Sequence, residues 1–472
     1  MDRGAILGRE LFYSFYGDDF TGSTDVLETL ALNGIPAALF LEPPDKREIE
    51  QFSLKVGVGC SNGSRRLKAF GVAGISRSLT PHEMDVELPG IFESISSIPT
   101  DFFQYKICST FDSSVAIGNI GHAVEIALKY FPSAYIPLIV AAPFLNRFVV
   151  FGNLFARVDQ HTYRLDRHPT MSKHPVTPMT ESDLAVHLRH QTNRKIQLMD
   201  QFAMEGEYGK PEEMLSQLTA ETGYVIFDTM DLNHLRIIGR LLVNRRDSPC
   251  QFILGSSGAV YALALQLQEM GKIQKFQELS KPGEAQKMVI TAGSCAPGTR
   301  DQILHMQSLE HPGIRMDTMK IIDPIDHGQE INTVVQQALN TISRKQVPVI
   351  YTALGPDDLA IAATTQRIES AGETSGSAGR IIAEAQGKVL KEIIAKTGKL
   401  RIAVAGGDTS GYVSRALGIY ALETLHPIAP GAPLCVAHSK NSAFDGLEIA
   451  LKGGQNGNKK YFESILKGES LN

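Results

Sequence analysis

The stretch Ser14 to Asp25 reads SFYGDDFTGSTD and sets two adjacent carboxylates, Asp18 and Asp19, between an apolar run and a helix start. One carboxylate can take a proton from a substrate hydroxyl while a phosphoryl group is transferred to that oxygen, and the other can orient the substrate or help hold magnesium. On spacing alone the alternative is a cap and a solvated neighbour. Two later segments carry complementary chemistry. VITAGSCAPGTRDQI sets Gly293, Ser294 and Thr299 ahead of a helix, and IAVAGGDTSGYVSRAL does the same with Gly406, Gly407, Asp408, Thr409, Ser410 and Gly411. Glycine lets the backbone approach a bulky anion, and free N–H groups at a helix start favour negative charge, so both turns suit the phosphates of ATP or another nucleotide. No GxxxxGK[ST] segment occurs, which excludes the ordinary P-loop. A third turn, LKGGQNGNKKYF, offers Lys452, Gly453 and Gly454 either to close over a nucleotide or to form a plain polar loop.

An acidic substrate needs cations, and Arg77 in GISRS and Lys106 in YKICSTFDSS both follow apolar strand-like runs. Arginine can grip a carboxylate with two parallel hydrogen bonds, whereas lysine acts as a point charge. No metal site is read from the sequence. His168 and His174, in the proline-rich run Tyr163 to Met179, are six apart and match no common local ligand spacing, so that run reads as a shaped loop. The five cysteines are scattered singly, as reduced thiols are. GVGCSNG, Gly57 to Gly63, breaks the GxGxxG spacing and reads as a surface turn.

The elements that must position these groups alternate between strand and helix. Leu11 to Tyr16, a helix with Val26, Leu27, Leu30 and Ala31 on one face, and IPAALFLEPP form a β-α-β unit. Ser23 or Thr24 can cap that helix and Gly34 can end it. The acidic pair thereby falls on a strand-to-helix loop, where open α/β sheets bind their ligands. The alternation resumes after the polar stretch Gly271 to Gln286, the best linker, with strands in KMVITAG, PVIYTALG and LRIAVAGG. The expected fold is α/β in two domains, each a mostly parallel sheet covered by helices in three αβα layers.

At 472 residues, 43% hydrophobic and 21% charged, the chain has ordinary globular composition and the length of two domains. Its 46 basic residues against 51 acidic ones, without a basic tract, argue against nucleic acid. The first residues, MDRGAILGRELF, lack a continuous apolar core, and the most apolar region, Tyr135 to Ala156, is broken by Pro137, Pro143, Asn146 and Arg147, so neither a signal segment nor a membrane span is expected and a cytoplasmic protein is. A homodimer is compatible with a metabolic enzyme of this size.

Taken in order, YGDDFTGSTD, GISRS, GSC, AGGDTSG and LKGGQNG make the chain resemble the four-carbon acid sugar kinase family over nearly its full length. The resemblance implies an acid-sugar-binding domain over residues 10–270 and a nucleotide-binding domain over 286–468. With ATP and Mg2+ the family phosphorylates a terminal hydroxyl of a tetronate or 3-oxo-tetronate-like acid. Carried over by position, Asp18 or Asp19 would act on that hydroxyl. Arg77, Lys106, Cys108, Ser109 and Thr110 would bind the acid, and Ser294, Gly406, Gly407, Asp408, Thr409 and Gly453 or Gly454 would bind ATP. One departure stands out: where the family shows a KxDSTLRG-like segment this chain has Cys108 in the acid's place and Asp112 four residues on, as in a branch acting on a branched acid such as 3-oxo-isoapionate. Two other readings compete, a metabolite-responsive two-domain binder without catalysis and an aspartate phosphohydrolase. The second is disfavoured because Phe20 stands where a phosphatase wants its second acid.

Overall fold

The apolar run from Phe12 to Tyr16 is buried at every position, as a strand covered on both faces must be, and it supplies the first strand, β1 (Tyr13–Gly17). The computed structural model describes residues 9–56, 66–158, 160–173, 176–221, 223–246, 248–274, 279, 281–370 and 375–471. His174, Cys60 and the Gly57 to Gly63 turn lie outside them. The chain divides into two units, Met1–Gln277 and Glu278–Asn472.

The first unit is built on β1, β2 (Ala37–Phe40), β3 (Ala69–Ala73), β4 (Phe102–Lys106) and β5 (Ile136–Ile139). A small antiparallel sheet of β6 (Arg147–Val150), β7 (Asn153–Val158) and β8 (His161–Arg164) follows, then β9 (Lys195–Met199), β10 (Gly223–Phe227) and β11 (Gln251–Gly255). Eight strands form a parallel sheet in the order β2-β3-β1-β4-β11-β5-β10-β9. The chain lays β2 and β3 on one side of β1 and then crosses to lay β4 on the other, which makes the carboxyl end of β1 a switch point. Register puts Gly17, Ala73, Lys106 and Gly255 in one row, so the loops carrying Asp18, Arg77 and Cys108 leave the same sheet edge together. Phe15 packs its ring over Gly71, where a Cβ would lie 2.0 Å from a ring carbon.

The second unit has β12 (Met288–Ala292), β13 (Gly313–Arg315), β14 (Val349–Tyr351), β15 (Arg401–Ala405), β16 (Ile419–Ala429), β17 (Ala432–Ser439) and β18 (Glu448–Lys452). Their order is β13-β14-β12-β15-β18-β17-β16. All pairs are parallel except those of β17, which runs antiparallel to both neighbours. This hairpin departs from a helix-covered parallel reading, and its cause is local: Pro430-Gly431, with Gly431 at φ 74°, makes a two-residue turn that parallel strands cannot use. Ala292, Ala405 and Lys452 share a row, so the three glycine turns also leave one edge. Met288, Ile290, Ile303, Met306, Tyr461 and Phe462 are among the side chains that fill the core beneath. Among the described residues no helix is long and apolar enough to cross a membrane.

Candidate active site

The helix Phe20–Leu32 begins directly after the acidic pair, and its cap is Asp19 rather than Ser23 or Thr24. Asp19 has extended backbone and its side chain accepts from Gly22 N at 2.9 Å and Thr21 Oγ1 at 2.9 Å. Ser23 and Thr24 turn their hydroxyls back to carbonyls, Asp19 O and Thr21 O, both at 2.7 Å. Asn33 and Gly34 end the helix, Gly34 in the left-handed region at φ 73°. Asp18, instead of being solvated, is 3% exposed.

Arg77, on the short turn Ser76–Ser78 after β3, explains how two acids tolerate that place. Its Nε and Nη2 donate to Asp18 Oδ2 and Oδ1 at 3.1 and 2.7 Å, and Nη2 donates to Asp19 Oδ1 at 2.8 Å. The fork that was expected to grip a substrate carboxylate thus holds the protein's own acids, and Nη1 takes no part in these bonds. Burial is the largest influence on Asp18 and pushes its carboxyl up against the pull of Arg77. Burial also opposes ionisation of Asp19, but Arg77, Lys106 and the bonds from Thr21 and Gly22 outweigh it and hold the carboxyl below its usual range. With side-chain exposures of 24% for Asp19 and 4% for Asp18, Asp19 is the acid that a substrate can touch.

Lys106 is the last residue of β4, not a loop residue, and is 2% exposed. Gly22 makes room for it: a Cβ there would lie 2.2 Å from Asp19 Oδ1 and 2.3 Å from Lys106 Nζ. Its charge bears on Asp18, Asp19, Asp25 and Cys108. Asp25, one turn into the helix and buried, is an acid that the sequence reading passed over. Cys108 shares a hydrogen bond of 2.8 Å with Thr110 Oγ1, and burial pushes its thiol up. Ser109 is half-buried and Thr110 buried. Beyond them Phe111 takes the left-handed conformation at φ 59° with its ring buried, and Asp112 returns close enough to Cys108 and Arg77 to bear on both. The bend after position 108 thus carries a carboxylate back beside Cys108.

In the second unit Ser294, Gly406, Gly407, Asp408, Thr409 and Gly454 line one cavity of about 350 Å³, together with Gly293 and Cys295. Its other wall is made by side chains that no motif announced, Thr318, Ala353, Ile361, Thr364 and Ile382 among them. Helix Gly407–Ala416 starts one residue after Gly406, so Asp408 and Thr409 lie in its first turn rather than ahead of it. Gly406, at φ 131°, caps that helix without a side chain, which leaves the first N–H groups open to a ligand. Gly293 and Gly454 are close-approach glycines: a Cβ would lie 2.2 Å from Thr409 Oγ1 at the first and 2.5 Å from Ser294 Oγ at the second. Gly453 contributes its carbonyl, which accepts from Lys452 Nζ at 2.7 Å. Lys452 is wholly buried beneath the turn, where Nζ also donates to Gly454 O at 3.2 Å and Thr299 Oγ1 at 3.1 Å. An apolar wall, glycine turns and an open helix start fit a nucleotide.

Family comparison matches a sugar-binding N-terminal domain over residues 13–263 and a nucleotide-binding C-terminal domain over 289–462. Over 97% of this chain and 94% of its own length, a 3-oxo-isoapionate kinase of Paraburkholderia graminis is 37% identical. The chain belongs to the four-carbon acid sugar kinase family. A second relative in the family, a 3-oxo-tetronate kinase of Cupriavidus necator, is 28% identical over 99% of both chains. Among solved structures, one from Salmonella typhimurium LT2 superposes with a TM-score of 0.73 at 25% identity, covering 96% of this chain and 98% of the other. One from Haemophilus influenzae shares the fold with a TM-score of 0.69 at 23% identity, covering 97% and 100%.

Proposed function

We propose that the chain is an ATP-dependent kinase that phosphorylates a terminal hydroxyl of a branched 3-oxo acid of the 3-oxo-isoapionate type. The observation that carries the reaction is Asp19, a partly exposed carboxylate on the loop after β1 that Arg77 and Lys106 hold ionised. Asp19 accepts the hydroxyl proton as the phosphoryl group arrives. Asp18 is a positioning residue, because its two oxygens fix the plane of Arg77. A depressed carboxyl suits this task, since phosphoryl transfer through a loose transition state asks more for orientation than for base strength. Lys106 and Arg77 Nη1 favour negative charge beside the reacting oxygen.

Support for ATP comes from the cavity of the second unit, whose open helix start suits phosphates and whose apolar wall suits a base. Among the described residues no group of three His, Cys, Asp or Glu could hold a metal alone. Mg2+ commonly takes one or two carboxylates plus phosphate oxygens, and Asp408, exposed in the first turn of the helix Gly407–Ala416, is suited to supply the carboxylate. The branched substrate rests on the 37% relative and on the exchange of an acid at position 108 for Asp112. Incubation with Mg-ATP and a panel of tetronates, 3-oxo-tetronates and 3-oxo-isoapionate, followed by phosphorus NMR of the products, tests the reading. A new phosphate monoester from 3-oxo-isoapionate, formed faster than from any unbranched acid, is the expected result. Equal rates on unbranched acids would remove the branched substrate, and no sugar-acid phosphate from any of them would remove the kinase.

A further inference from the structure

With the fork of Arg77 given to Asp18 and Asp19, the carboxylate of an acid substrate needs another partner. Among the described residues of the first unit, three of the buried side-chain polar atoms that lack a partner belong to residues that act on one another. Arg147, the first residue of β6, donates from Nη1 to Leu145 O at 3.0 Å and Asn146 O at 3.2 Å, while its Nε is buried and unpartnered. No acidic side chain among the described residues forms an ion pair with it. His168, 5% exposed, accepts two backbone amides on Nδ1, from Thr170 and Met171, both at 3.1 Å. Those bonds put the ring proton on Nε2, which is buried and donates to nothing. Asp112, 8% exposed, has Oδ1 buried and unpartnered.

The three groups lie close enough to act on one another: Arg147 feels Asp112 and Cys108, and His168 feels Arg147. Through Cys108 and Asp112 they adjoin Arg77 and hence the acidic pair. A buried donor or acceptor left unmade is costly, and most native exceptions have a reason. Two donors, one charged and one neutral, beside one acceptor make a set complementary to a hydroxy acid. We propose that Arg147 and His168 hold the carboxylate of the substrate and that Asp112 accepts one of its hydroxyls, so that the substrate runs from this corner to Asp19. This rests on the acid-kinase reading above.

The test compares turnover of the acid with turnover of its carboxamide in the wild-type protein, Arg147→Met and His168→Phe, with thermal unfolding and nucleotide affinity as controls for folding. A charge-assisted pair of this kind is worth about 10- to 100-fold. Wild type should prefer the acid by that factor in kcat/KM. Arg147→Met should lose the preference mainly through KM, and His168→Phe should lose about tenfold of it. Arg147→Lys, which keeps the charge in the same corner if Arg147→Met does not fold, should restore part of the preference. An Arg147→Met protein that folds, binds nucleotide and keeps the wild-type preference would overturn the assignment while leaving the kinase intact. A wild type that phosphorylates neither compound nor any other acid sugar would overturn both.

Discussion

Lys106 closes β4 in the first unit and Lys452 closes β18 in the second; each is at most 2% exposed. Each also gives its carbonyl to the first amide of the functional loop beside it, Asp18 N in one unit and Gly406 N in the other, both at 2.9 Å. The surroundings differ. Lys106 faces carboxylates, Asp19 and Asp25 among them, and acts as a charge within an ionic cluster. Lys452 meets a hydroxyl and two carbonyls, and burial pulls its ammonium down to about 7. One sheet edge therefore prepares a site by locking opposite side-chain charges together, and the other by leaving backbone N–H groups open over a lysine that is readily neutralised. The first design suits a substrate hydroxyl that must lose a proton. The second suits a polyphosphate that brings its own charge.

The comparison breaks most visibly at Asp19. Asp19→Asn should lower kcat by about 10²–10⁴, the usual worth of a positioned acid or base, while nucleotide affinity measured by calorimetry stays unchanged. Its pKa is depressed, so its stabilisation is complete above the unfolded carboxyl value of about 4 and is lost as pH falls through the lower folded value. The variant should therefore give up more stability at pH 6 than at pH 3, as denaturant titrations at the two values would read. Asp18→Asn takes from Arg77 the buried one of its two carboxylates and should cost about 3 kcal/mol of folding stability, seen as a lower melting temperature. If it melts like wild type, Arg77 does not depend on Asp18.

In the second unit, Gly454→Ala puts a methyl 2.5 Å from Ser294 Oγ and shifts a turn of the cavity. The nucleotide dissociation constant should rise by about 10²-fold, the cost of roughly 1 Å of misplacement, with KM for the acid unmoved. The smallest effect sharpens the contrast between the lysines. Phosphates beside Lys452 raise its proton affinity, so nucleotide binding between pH 7 and 8 should take up a fraction of a proton. Calorimetry in buffers of different ionisation enthalpy reads that fraction, and Lys452→Met should abolish it. The same shift makes stability rise with pH above about 7, where the unfolded lysine is still charged and the folded one is neutral.

Much of the frame was legible because several strands are apolar runs ended or followed by glycine, and the turns of the second unit are written in glycine and hydroxyl residues. Asp18, Asp19, Arg77 and Lys106 could be picked out, since each ends or follows a strand of one sheet. Their partnership could not, because only the register of β1, β3 and β4 brings Arg77 to the acids. The apolar wall of the nucleotide cavity was silent for another reason. Ile382 and Ile361 look like ordinary helix core in a periodic pattern, and it is tertiary packing that turns them toward a ligand. Asp112 stood out only as a displaced acid, and Arg147 and His168 lie at no strand-to-helix turn; burial without partners is what marks the three together. The hairpin of β16 and β17 carried a signal, Pro430-Gly431, which the rhythm of alternating strands and helices concealed.

The most direct test of the central claim is a rapid-quench measurement of phosphoryl transfer from labelled Mg-ATP to 3-oxo-isoapionate, made side by side on wild type and Asp19→Asn at equal nucleotide occupancy. The account predicts a labelled sugar-acid phosphate from wild type and a transfer step slower by at least about 10²-fold in the variant. Transfer at the wild-type rate in Asp19→Asn would contradict it.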